Sequence, residues 1–130
     1  MFGNFFGKKS VPLSGAPTVR RQKSYSAESG YVYQYFYDGM RRTGNGTEFV
    51  FTFSADRKTS HAVSVQVRDE AMAGWEREHG RALMPNERYG VAKMALFQAF
   101  DERGTPELMK QDVEVRAADV AGILEKLGLE

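Results

Sequence analysis

The chain has 130 residues, a formal net charge of +1, 42% hydrophobic content and no cysteine. That length suits one domain with one core. The lack of cysteine excludes disulfides, thiolate metal sites and cysteine catalysis, and makes a reducing cytoplasm the default expectation. No apolar run approaches the ~20 residues of a membrane helix, and the N-terminus lacks the apolar stretch of a signal peptide.

Charge is unevenly spread. Residues 1–30 carry five basic side chains and one acid, whereas residues 104–130 carry three basic and six acidic. Residues 1–28 hold several glycines, prolines and serines with no sustained period, and read as a flexible basic tail. The domain is expected over 29–130. Phe2, Phe5 and Phe6 followed by Lys8 and Lys9 form a candidate surface anchor: rings can enter a headgroup boundary while cations approach anionic lipid. This start resembles the aromatic-then-basic opening of some bacterial membrane-associated proteins. That resemblance implies peripheral membrane contact.

Tyr31, Tyr33, Tyr35 and Tyr37 stand at every second position, the period of a β-strand. The spacing predicts a strand over 31–40 with one aromatic face. Phe49, Phe51 and Phe53 repeat the pattern in a strand over 47–55, and Val63, Val65 and Val67 in a third over 61–68. Arg41–Gly46 contains Asn-Gly and reads as a hairpin longer than two residues. The tyrosine strand is expected at the sheet edge, where it could pair with another copy.

After Arg68 the period becomes helical. Asp69 is the expected N-cap of a helix carrying Met72, Trp75 and His79, which Gly80 ends. Pro85 opens the next helix, which runs to about Arg103. Its apolar stretch from Val91 to Phe97 is interrupted only by Lys93, as suits a core helix. Thr105-Pro106 begins a short helix or turn, Val113–Val115 is a candidate fourth strand, and Val120, Ile123, Leu124 and Leu127 mark a last helix. The order predicts an α+β fold: a three- or four-stranded antiparallel meander with two to three helices on one face.

Chemical motifs are sparse. Glu76 and His79 have metal-site spacing without a second pair. Ser54, Asp56 and His61 are triad residue types without a nucleophile elbow. Gly44-Asn45-Gly46 is a turn lacking a phosphate-loop lysine. No catalytic residue, cofactor or metal is expected. The leading expectation is a non-catalytic binding or adaptor domain for a protein partner. Nucleic-acid binding is the second, through Lys8, Lys9, Arg20, Arg21, Lys23, Arg41 and Arg42. A small-ligand binder or enzyme with a pocket at Tyr31, Tyr33, Tyr35 and Tyr37 is the third. The strands-then-helix order is also similar to several unrelated DNA-binding and ligand-binding domains.

Overall fold

The computed structural model describes residues 12–128. The chain is α+β, with a five-stranded sheet in the order β1-β2-β3-β4-β5 and helices packed on one face. The strands are β1 (Lys23–Ser26), β2 (Val32–Arg42), β3 (Gly46–Ser54), β4 (His61–Arg68) and β5 (Val113–Val115). Strands β1 to β4 pair antiparallel, and β5 lies parallel to β4. The helices are α1 (Asp69–His79), α2 (Pro85–Glu102) and α3 (Ala117–Lys126), with a 3-10 turn over Pro106–Lys110.

The three aromatic and valine rows converge as their spacing predicts. Tyr35 pairs with Phe53, Tyr37 with Phe51, Phe49 with Val65 and Phe51 with Val63. Cross-strand partners share a face. These rows meet Met72, Trp75, Leu96, Phe100, Ile123 and Leu124 in one buried core. Leu and aromatic burial of this kind is the main stabilising term of the fold.

Helix ends follow their sequence signals. Gly80 closes α1 in the left-handed region at φ 68°, a conformation that glycine adopts without a Cβ penalty. Pro85 opens α2, and the Glu87 carboxylate accepts from the Met84 backbone N–H at 2.8 Å. At the start of α1 the residue before the helix is Arg68, with no side-chain cap. Asp69 is instead the first helical residue, and its carboxylate takes two hydrogen bonds from Arg42 at 2.9 and 2.8 Å.

Beyond the place of Asp69 and the parallel pairing of β5, where an antiparallel meander is expected, three features differ from the sequence expectation. Residues 23–26, expected in the tail, form β1 on the edge of β2. Tyr25 anchors it: the ring stacks on Phe97 at 4.3 Å, and the hydroxyl donates to Asp101. Second, the tyrosine strand is not an edge. Residues 32–35 pair with β1, and further along Ser14 and Met40 exchange backbone hydrogen bonds at 2.8 Å. Third, β2 is bulged between Tyr37 and Gly39. The extra residue puts both Tyr37 and Met40 opposite core-facing partners, Phe51 and Phe49.

Candidate functional site

The tyrosine row divides into a core half and an open half. Tyr33 and Tyr35 are buried, while Tyr31 and Tyr37 are half-buried. Tyr33 stacks on Phe100 at 4.1 Å, and Tyr35 meets Phe97 edge-on at 5.7 Å. Tyr37 packs on Tyr89 at 4.7 Å. Side chains two apart on a strand repeat every ~6.8 Å, and side chains four apart on a helix every ~6.0 Å. Tyr89 and Phe97 of α2, eight residues apart, thus meet Tyr37 and Tyr35 of β2, and Lys93 lies between them in sequence.

Lys93 is half-buried at the boundary of the core. Its Nζ lies 5.8 Å from the centroid of the Phe97 ring. Lys23 of β1 is the cross-strand partner of Tyr35, so its side chain leaves the sheet on the same face. Burial, and then Lys23, lowers the pKa of Lys93. Neither lysine has an ion pair with an acid among the described residues. Asp101, on the same helix as Lys93, is occupied by the Tyr25 hydroxyl and the Glu28 backbone N–H.

The phenols beside them are donors over the physiological range. Burial, and secondly Tyr89, pushes Tyr35 and Tyr37 up to about 12. Burial also raises Tyr89. None of these three hydroxyls has a hydrogen-bond partner among the described residues.

The other sequence candidates are dispersed. Arg20 pairs with Asp38 at 3.0 Å, and its guanidinium lies 4.0 Å over the Phe36 ring. Arg41 pairs with Glu48 at 3.4 Å, and Arg42 is held by Asp69 and Thr47. Arg21 is exposed. Arg41 and Arg42 sit at the β2–β3 hairpin, whereas Arg57 and Lys58 sit at the opposite end of β3. Phe2, Phe5, Phe6, Lys8 and Lys9 lie outside the described residues.

The catalytic and metal motifs are drawn into structural bonds. Glu76 accepts from the Leu83 backbone N–H at 2.7 Å and from Arg88 at 3.0 Å. His79 stacks on Trp75, and its Nδ1 lies 2.9 Å from the Trp75 carbonyl. Ser54 donates to Asp56, while the His61 ring lies 5.7 Å from that of Phe53. Among the described residues no group of three His, Asp or Glu side chains could hold a metal ion. No described helix is long and apolar enough to cross a membrane.

Sequence reading missed Lys93 as a site residue, although its intrusion into an apolar run was visible. No protein-family model, curated protein or solved structure matches this chain.

Proposed function

We infer that the chain is a non-catalytic binding domain that captures an oxyanion of its partner at the Lys23–Lys93 pair. The carrying observation is that Lys23, opposite Tyr35, leaves β1 on the face that α2 and Lys93 cover, close enough to lower the Lys93 pKa, with no acid ion-paired to either among the described residues. Like charges at such separation repel, and an anion between them replaces repulsion with two attractions. On the same face of the sheet the Tyr35 and Tyr37 hydroxyls are protonated and without a hydrogen-bond partner among the described residues. Phenols held at about 12 serve poorly as bases near neutrality, which supports binding rather than proton transfer.

Thermal melting in inorganic phosphate and in pyrophosphate, against chloride at matched ionic strength, tests the reading. A specific ligand of the folded state raises Tm saturably. The wild type should show that rise, and Lys93→Met and Lys23→Met should each lose most of it. The Lys93→Met protein should melt no lower than wild type without phosphate, because it sheds a partly buried charge facing another cation. Equal phosphate responses in wild type and both variants would remove the proposal.

A further inference from the structure

Lys93 is a lysine that the fold partly removes from water. It interrupts the apolar run from Val91 to Phe97 and is half-buried, whereas Lys58, Lys110 and Lys126 are exposed. On either side of it along α2, Tyr89 packs on Tyr37, and Phe97 packs on Tyr35 and Tyr25. Its Nζ lies 5.8 Å from the Phe97 ring centroid. That is near the outer limit of a cation–π contact, so the ring does little to keep the amine charged.

The surroundings favour a neutral amine. The titratable groups of the elements packed here are Lys23 and Tyr25 of β1, Tyr35 and Tyr37 of β2, and Tyr89 and Asp101 of α2 itself. The four phenols stay protonated near neutrality, each raised chiefly by burial. Asp101 is taken by the Tyr25 hydroxyl and the Glu28 backbone N–H. Neither lysine is ion-paired to an acid among the described residues. Lys23, which is exposed, is the charged neighbour that acts on Lys93, and it works in the same direction as burial. Desolvation and an adjacent cation are the two ways in which a lysine becomes a nucleophile.

We propose that Lys93 is a covalent ligand site whose amine forms a reversible imine with a small oxo acid, a molecule with an aldehyde or ketone carbonyl next to a carboxylate. This rests on the anion capture inferred above, with Lys23 as the cation that holds the carboxylate. Two neighbouring functions on the ligand then meet two neighbouring amines. The Lys93 lone pair attacks the carbonyl carbon, and the C–O π pair moves onto oxygen. The two nitrogen protons pass through solvent to that oxygen, which leaves as water, and a C=N bond remains. Nothing is oxidised or reduced, so hydrolysis reverses the capture.

Glyoxylate and acetaldehyde, each with sodium cyanoborohydride, test this on the full chain. The reagent delivers hydride to the imine carbon and fixes each imine as a secondary amine, which peptide mass mapping locates. Near neutrality and at low conversion, both aldehydes should label Lys93 ahead of Lys58, Lys110 and Lys126. The ratio of Lys93 to Lys58 labelling should be about tenfold higher for glyoxylate than for acetaldehyde, the factor expected for one charge-assisted hydrogen bond. Lys23→Met should lower the glyoxylate ratio to that of acetaldehyde, and Lys23→Arg, which keeps the cation, should preserve it. Labelling of Lys93 no faster than of Lys58 would overturn the proposal, as would equal ratios for the two aldehydes or an unchanged ratio in Lys23→Met. A saturable phosphate response in Tm without preferential labelling of Lys93 would remove the imine and leave anion capture standing.

Discussion

The Tyr33 ring lies face to face on Phe100, with centroids 4.1 Å apart and planes 12° from parallel. Tyr33 is 0% exposed, and its hydroxyl is buried without a hydrogen-bond partner among the described residues. Burial raises the phenol pKa, with a smaller contribution from Tyr31. The ring therefore supports the core while its oxygen opposes burial. Tyr33→Phe should keep the stack and leave stability unchanged or higher by about 1 kcal/mol. Urea unfolding measures this directly, and a loss of similar size would show that the hydroxyl has a partner.

Trp75 is 7% exposed, stacks on His79 at 4.1 Å and lies under the Arg81 guanidinium at 5.1 Å. Truncation to alanine removes a large buried side chain. Trp75→Ala should cost about 3–5 kcal/mol. The denaturation midpoint should fall accordingly, and a midpoint like that of wild type would contradict the packing of α1.

Two glycines in the β2–β3 hairpin should respond differently. A Cβ at Gly46 would meet the Val67 carbonyl oxygen at 2.4 Å and Arg68 Cα at 2.8 Å, both backbone atoms of the adjacent strand. Gly44 has nothing within 4 Å of such a Cβ. Gly46→Ala should cost about 1–3 kcal/mol through forced strand displacement. Gly44→Ala should stay within about 0.5 kcal/mol of wild type. Similar Tm values for the two variants would be inconsistent with this strand spacing.

Acid should act on the β3–β4 turn. Backbone hydrogen bonds from Thr59 and Lys58 lower the Asp56 pKa from 3.8 to about 2. A lowered folded-state pKa contributes stability above the unfolded value, and that contribution is lost as pH falls toward the folded value. The window therefore runs from 3.8 down to about 2. Amide exchange at Lys58 and Thr59 should speed up across it. In Asp56→Asn those amides should show little further change over the same range.

The major elements were legible because each has an undiluted period. The rows of Tyr33 and Tyr35, of Phe49, Phe51 and Phe53, and of Val63, Val65 and Val67 alternate cleanly, and period two fixes which side each side chain takes. Pro85 and Gly80 marked helix ends through backbone chemistry that acts locally. Strand β1 had no such signal. Lys23-Ser24-Tyr25-Ser26 contains one large apolar side chain, and its strand state follows from the free edge of β2 and the docking of Tyr25 on Phe97.

The sequence by itself determined the fold class, the aromatic core and the order of its elements, since those depend on spacing within single segments. The proposed lysine site is legible only in the tertiary structure. Lys23 and Lys93 stand seventy positions apart in the chain, and only the registry of β1 on β2 and of α2 across the sheet brings their charges together. By alternation Gln34 falls on the sheet face opposite the core rows, yet it is only 4% exposed. The path of the turn after β3 is set by hydrogen bonds that Ser54 and Asp56 accept from the Arg57, Lys58 and Thr59 backbone N–H groups. Periodicity fixes the face a side chain leaves from, whereas its neighbours are set by contacts between distant segments.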